Sequence, residues 1–159
     1  MGNGNRMLVT CSHITFVGKG KDQTTIRGGF QVINQQNVKF EELTITTRWF
    51  GLWLEGSETK VDVLKCIVKE CGGSGMNVRA GATVTATQCE FMENSGSGVF
   101  CRDANTKARL NDCTMHHNGL QLDGLVAYNH AVVDLHGTKT DIHSNKGHGI
   151  RAYNRGTVK

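Results

Sequence analysis

Apolar and polar side chains alternate in short runs along most of this sequence. Leu52 and Leu54 flank Trp53, for example, and similar triplets recur almost to the end of the chain. Alternation with a period of two predicts β-strands that turn one face inward. The helical spacing of i, i+3 and i+4 is not sustained anywhere, so the pattern predicts an all-β protein.

The alternating runs repeat about every two dozen residues, and each copy has the same internal order. A glycine is followed by one alternating run, a polar turn and a second run, and then by a small residue and one apolar anchor. The opening glycines are spaced by 24, 23, 26 and 25 residues, and they are Gly51, Gly75, Gly98, Gly124 and Gly149. A fixed period of this length is the signature of a solenoid.

The apolar positions of successive copies line up as three inward columns. The first-strand pairs are Leu52/Leu54, Met76/Val78, Val99/Cys101, Leu125/Ala127 and Ile150/Ala152. The second-strand pairs are Val61/Val63, Val84/Ala86, Ala108/Leu110 and Val133/Leu135, and the third-strand anchors are Val68, Phe91, Met115 and Ile142. Phe30/Val32, Val38/Phe40 and Ile45 continue the columns backwards, and Ile14/Phe16 indicate a partial coil before them. Three short strands cannot enclose a core alone, whereas coils stacked about 4.8 Å apart can.

Nearly the whole chain from Ile14 resembles the right-handed β-helix repeats of the pectin-lyase-like superfamily, and residues 14–46 are similar to the first coils of such domains. The resemblance implies a right-handed, single-stranded parallel β-helix of five to six coils of about 23–26 residues. It also implies an asparagine ladder of Asn94, Asn118 and Asn145, at a corner where asparagine tolerates a left-handed backbone. The superfamily includes lyases, hydrolases, epimerases, phage spikes and non-enzymatic scaffolds, so the resemblance implies no particular activity.

Three of the six cysteines follow the repeat. Cys66, Cys89 and Cys113 are spaced by 23 and 24 residues and are expected to form an inward column of free thiols. Disulfides are the alternative, but a disulfide framework has no reason to follow the repeat. A zinc site of Cys113, His116 and His117 is a further alternative, and it lacks the usual ligand spacing. No metal or other cofactor is therefore expected, and free thiols favour a reducing compartment such as the cytoplasm.

The outward-facing positions of the first strand alternate with its inward residues. They form two columns that are rich in aromatic, arginine and amide side chains. Such a cluster suggests a contact surface. The candidate ligand-binding residues are Trp53, Asn77, Arg79, Phe100, Arg102, Tyr128, Arg151 and Tyr153. Aromatic rings stack on sugars, and arginine pairs with hydroxyl or uronate groups, so the preferred partner is an extended and possibly acidic polysaccharide. A protein partner, bound as in an intracellular adaptor, is the alternative.

An enzyme acting on polysaccharides is the third interpretation. Arg79 and Arg102 occupy positions suited to the base of a lyase, but no dense acidic cluster for Ca²⁺ is found. Gly147-His148-Gly149 is similar to a motif of polygalacturonases, yet Gly73-Ser74-Gly75 fills the same slot, which indicates a turn of the repeat. No pair of carboxylates suited to glycoside hydrolysis can be assembled. No catalytic residue is therefore assigned.

Composition and charge narrow the list of partners. The net charge is only +4 and the charged residues are scattered, which argues against nucleic acid. No apolar run approaches the roughly 18–20 residues that span a membrane. Residues 1–159 are expected to be a single β-helix domain whose last coil stops part-way, near Val158. This suggests a piece of a longer solenoid or end-to-end stacking of copies, since an open edge invites association.

Overall fold

A computed structural model describes residues 5–119 and 122–159 of the chain. The protein is an all-β parallel solenoid of about six turns, and the described residues contain strands and turns but no helix. Each turn contributes one strand to each of three parallel sheets, so the predicted coil architecture is confirmed. The sheets enclose one continuous apolar core.

The strands of each sheet come from successive coils and pair in parallel. The first sheet contains β1 (Arg6–Val9), β4 (Gly29–Ile33), β7 (Leu52–Glu55), β10 (Met76–Arg79), β13 (Val99–Arg102), β16 (Leu125–Tyr128) and β19 (Ile150–Tyr153). The second contains β2 (Thr15–Val17), β5 (Val38–Glu41), β8 (Lys60–Leu64), β11 (Thr83–Thr87), β14 (Lys107–Asn111), β17 (Val132–His136) and β20 (Thr157–Val158). The third contains β3 (Thr25–Arg27), β6 (Thr44–Thr46), β9 (Ile67–Lys69), β12 (Glu90–Met92), β15 (Thr114–His116) and β18 (Asp141–His143).

The opening glycines are vertical neighbours, as the repeat predicts. The residue after each glycine donates its backbone N–H to the glycine carbonyl of the next coil, at 2.9 Å from Leu52 to Gly75 and 3.0 Å from Met76 to Gly98. The thiol column is confirmed in the same way: Cys66, Cys89 and Cys113 are all buried. Residues two dozen positions apart therefore stack throughout the described coils.

Strand β1 is one of two elements that the alternation did not predict, and β3 around Ile26 is the other. Strand β1 pairs with β4 and brings Met7 and Val9 into register with Phe30 and Val32. Only Val9 is buried, because no earlier coil covers the lower side of this strand in the described residues. A single well-buried position is too short a pattern to distinguish a strand from a loop.

The asparagine ladder is present, but its backbone differs from the expectation. Asn94 donates its side-chain N–H to Asn118 Oδ1 at 2.9 Å, and Asn118 donates to Asn145 Oδ1 at 3.1 Å. The left-handed residues are Glu93, His117 and Ser144, each directly before a ladder asparagine. The residue before each asparagine adopts the left-handed backbone that makes the turn. Each asparagine side chain can then point inward and donate a hydrogen bond to a backbone carbonyl of the preceding coil.

Candidate functional site

The predicted binding residues lie together on the outer face of the first sheet. Trp53, Asn77 and Phe100 are register neighbours on β7, β10 and β13, and Arg102, Tyr128 and Tyr153 are neighbours on β13, β16 and β19. We call this surface the outward strip, and its members are Trp53, Asn77, Arg79, Phe100, Arg102, Tyr128, Arg151 and Tyr153. It runs parallel to the solenoid axis across five coils because each coil adds one strand to the sheet.

Most side chains of the outward strip are half-buried, and Asn77 departs from the expected open surface. Asn77 is only 6% exposed, whereas Tyr153 in the last coil is 42% exposed. The neighbours of Asn77 in register are Trp53 and Phe100, whose rings are much larger than an amide. Stacked side chains therefore hold one another in place, which limits the conformational entropy that a ligand would have to remove.

An aromatic cluster of Trp49, Phe50 and Trp53 adjoins the end of the outward strip nearer the N-terminus and shares only Trp53 with it. The indoles of Trp49 and Trp53 stack at 5.3 Å, and Phe50 meets both rings edge-on at 5.2 and 5.0 Å. The Arg6 guanidinium lies 5.1 Å from the Trp49 ring, and that of Arg79 lies 5.4 Å from the Trp53 ring. Each indole therefore contacts the other indole and one guanidinium group, and these cation–π contacts help to hold both arginines in place.

Each arginine of the outward strip lies beside a carboxylate. Arg79 Nε is 3.8 Å from Glu55 Oε1, and Arg102 Nε is 4.0 Å from Asp103 Oδ2. Both distances are longer than a hydrogen bond, so these two guanidinium groups keep donors for other partners. Glu55 is also held from the other side, because Trp53 Nε1 donates to its Oε2 at 2.7 Å.

Asp123, which the sequence analysis did not assign to the surface, anchors its far end. The carboxylate is 1% exposed and lies 2.9 Å from Arg151 Nε and 3.0 Å from His148 Nδ1. It occupies the turn slot filled by Ser74 and Ser97 in earlier coils, where Ser97 donates its backbone N–H to Ser74 Oγ. His148 donates its backbone N–H to Asp123 Oδ1 in the same way, at 2.7 Å. The substitution of Asp for Ser in this slot is the signal that could have revealed the residue.

Buried polar atoms without a hydrogen bond are concentrated at this surface. Among the described residues, the buried side-chain atoms that lack a hydrogen-bond partner are Asn77 Oδ1, Arg79 Nε, Ser97 Oγ, Arg102 Nε and Asp123 Oδ2. Asp123 Oδ2 still forms an ion pair with Arg151, without the geometry of a hydrogen bond. All five atoms belong to the outward strip or to the turn that leads into it. Unsatisfied polar groups are rare in folded proteins and cost about 1–3 kcal/mol each, so their concentration in one place requires an explanation.

Comparison with known families identifies the fold. The profile of the right-handed β-helix region matches residues 2–159. The chain belongs to this family. No curated protein and no solved structure matches the chain. Membership of the family establishes the architecture, and the chemistry of this β-helix has to be argued from its own surface.

The cysteines of this β-helix belong to its core. Burial raises the pKa of Cys71 and of Cys101 to about 12, and a hydrogen bond to Cys113 together with burial raises the pKa of Cys89. Cys113 faces inward while His116 and His117 lie outside the coil, so the three groups of the zinc alternative do not converge. Nowhere in residues 5–119 and 122–159 do three or more such side chains form a metal-binding group. The same residues contain no helix long and apolar enough to cross a membrane.

Proposed function

We propose that the outward strip binds an extended polysaccharide that runs along the solenoid axis. The observation that carries this proposal is the concentration of unpartnered polar atoms at this surface. Asn77 Oδ1 is an acceptor, and Arg79 Nε and Arg102 Nε are donors. A sugar hydroxyl both donates and accepts, so one kind of ligand group can satisfy all three after small side-chain rotations.

The repeat of the fold suits a polymer. Successive coils present equivalent positions about 4.8 Å apart, which is close to the rise of one saccharide unit. Tyr128 and Tyr153 pack with their ring centroids 4.6 Å apart and their planes tilted by 30°, and they add phenolic hydroxyls at the far end. A chain of sugars would therefore meet a polar group at each coil, and the many weak contacts would act together.

The mode of binding differs from simple ring stacking at the aromatic end. The Arg6 guanidinium lies over the Trp49 ring, and that of Arg79 lies over the Trp53 ring. A sugar that approaches Trp53 would meet the Arg79 guanidinium over its ring, so hydrogen bonds to Arg79 contribute more than contact with an aromatic face. The Trp53 ring then acts mainly by holding Arg79 and Glu55 in position.

Titration calorimetry with oligosaccharide hexamers, after a glycan array has selected the class, tests the proposal. Arg102→Ala is expected to weaken binding about 10- to 100-fold, the usual effect of losing a hydrogen bond to a charged group. Trp53→Ala is also expected to weaken binding, because it releases Arg79 and Glu55 from their positions. Arg109→Ala is the matched control, because Arg109 is exposed on β14 of the second sheet. Thermal unfolding of each variant checks that the fold is retained.

Two results would contradict polysaccharide binding. One is the absence of binding to every glycan class on the array. The other is an equal loss of affinity in Arg109→Ala and Arg102→Ala, which would mean that the surface charge of the whole molecule, and not the outward strip, is responsible.

A protein partner is the second candidate, and the aromatic cluster favours it. Tryptophan and arginine dominate binding hot spots between proteins, and Trp49, Trp53 and Arg6 are packed together at one end of the surface. Trp49→Ala should abolish binding to such a partner while leaving glycan affinity nearly unchanged, since Trp49 lies outside the outward strip. A purified partner that binds wild type and Trp49→Ala equally would exclude this candidate.

A further inference from the structure

We infer that the outward strip selects neutral polysaccharides and rejects uronate polymers. This inference rests on the proposed function and specifies its ligand class. It departs from the broader expectation from sequence, in which the arginines could equally pair with acidic sugars. The difference comes from three carboxylates beside these arginines: Glu55 in the outward column itself, and Asp103 and Asp123 outside the strands.

The three arginines of the outward strip are each matched by one acid. Glu55 lies beside Arg79, Asp103 beside Arg102, and Asp123 beside Arg151. The sum of these six formal charges is zero. Arg6 adds one positive charge at the aromatic end. A polyuronate brings one negative charge for every sugar, so it would gain little net attraction from five coils of this surface.

Glu55 is the group that opposes an acidic ligand most directly. Its carboxylate is held between Trp53 Nε1 at 2.7 Å and Arg79 Nε at 3.8 Å, and its side chain remains 31% exposed. It shares its outward column with Arg79, which follows one coil later. A uronate that approaches Arg79 would therefore lie close to a second carboxylate held in position, and this repulsion discriminates against acidic sugars.

Asp103 places a second acid beside an arginine of the outward strip, two coils after Glu55. It lies 4.0 Å from Arg102, its Oδ2 accepts the backbone N–H of Ala80 at 3.3 Å, and its Oδ1 accepts from Asn129 Nδ2 at 3.4 Å. These bonds fix the acid beside the arginine. Asp123 differs from Glu55 and Asp103 because it is buried. Its ion pair with Arg151 offsets the positive charge of that arginine from the preceding coil. The hydroxyl groups of a neutral sugar can accept hydrogen bonds from the arginines and are not repelled by the neighbouring carboxylates.

The test compares neutral and acidic hexasaccharides by titration calorimetry on the whole chain. Cellohexaose, xylohexaose and mannohexaose represent the neutral class, and hexagalacturonate and hexamannuronate represent the acidic class. Wild type is expected to bind at least one neutral hexamer ten or more times as tightly as either acidic hexamer. Its neutral affinity should change less than twofold between 20 and 300 mM salt, because no net charge is neutralised.

Glu55→Gln is expected to produce a gain of function, namely tighter binding of acidic sugars. The amide keeps the size of the side chain and removes the negative charge, so affinity for the acidic hexamers should rise at least fivefold at 20 mM salt and fall again at 300 mM. Asp62→Asn is the matched control, because it removes one acid from the outer face of β8 in the second sheet. It should leave the ratio of acidic to neutral affinity unchanged.

The outcomes distinguish a failure of the neutral preference from a failure of polysaccharide binding. Tighter binding of a uronate hexamer by wild type, weakened by Arg102→Ala and by salt, overturns the neutral preference and supports polysaccharide binding. No gain in uronate affinity for a folded Glu55→Gln, beyond that of Asp62→Asn, also overturns the neutral preference. Failure of both ligand classes to bind overturns the proposed function itself.

Discussion

Buried thiols in this β-helix behave as small apolar side chains. Cys101 is fully buried on the first strand, with Val78 below it and Ala127 above it in register. Burial raises its pKa from the ordinary value of 9.0 to about 12, because an ionised sulfur would lose its hydration in the core. The folded chain therefore keeps this proton at a pH where the unfolded chain has released it.

The stability of the fold should consequently decrease in alkali, and Cys101→Val should reduce that decrease. The folded pKa is raised, so the contribution of Cys101 is fully present below pH 9 and is lost as the pH rises towards 12. Between these two pH values, the Cys101 thiol lowers the free energy of unfolding by about 1.4 kcal/mol per pH unit. Urea unfolding of wild type and Cys101→Val, under a reductant at pH 7, 9, 10 and 11, measures the difference. A gap between the two proteins that stays constant above pH 9 would contradict this account.

At the scale of the coil, the opening glycines and the ladder asparagines depend on each other. A Cβ added at Gly98 would lie 2.8 Å from the Gly124 carbonyl oxygen and 2.9 Å from Asn118 Nδ2. Gly75 has the same relation to Asn94, at 2.8 Å. Gly75, Gly98 and Gly124 have no room for a side chain because the ladder amide and the next coil fill that space. The two sequence signals, Gly at one end of the repeat and Asn at the other, have one physical cause.

Gly98→Ala and Gly149→Ala form a matched pair that tests this dependence. Overpacking at Gly98 is expected to lower the free energy of unfolding by about 1–3 kcal/mol. At Gly149 the nearest atom to an added Cβ is Ile142 Cγ2 at 3.6 Å, an ordinary contact, and no later coil presses on it in the described residues. Gly149→Ala should therefore be neutral or stabilising by up to about 1 kcal/mol. Equal destabilisation in the two variants, measured by chemical denaturation, would refute the proposed role of the ladder.

The strands and their register could be predicted because they depend on patterns that the chain repeats. Alternation identifies the side of the strand on which Leu52 and Trp53 lie, and the period identifies their vertical neighbours. The extent of burial of an outward residue is not encoded in the same way. Asn77 is covered because Trp53 and Phe100 happen to be large, and Asp123 joins the surface through Arg151, 28 residues later. The columns of the candidate site were predictable, and its charge balance was not, since turns and side-chain reach determine it.

For the molecule as a whole, stability is a sum of coils and the contacts between neighbouring coils. Central coils have neighbours on both sides, and their apolar anchors Phe91 and Met115 are fully buried. Met7 near one end is 42% exposed and Ile150 near the other is 45% exposed, although both lie in register with buried residues of the first sheet. The outward strip crosses from the well-packed centre to the looser last coil, so its Trp53 and Phe100 positions are better ordered than Tyr153.

This gradient predicts the pattern of amide hydrogen exchange. Amides of β10 and β13 should be the slowest, and those of β1, β19 and β20 should exchange at least 100-fold faster, because end coils can open without breaking the rest of the core. Peptide-resolved mass spectrometry measures the exchange rate of each coil. Measurements at two protein concentrations show whether association of copies contributes to the protection. If copies stack end to end, protection of β1 and β19 should increase with concentration while the centre stays the same. Uniform exchange across all coils would show instead that the solenoid unfolds as one cooperative unit.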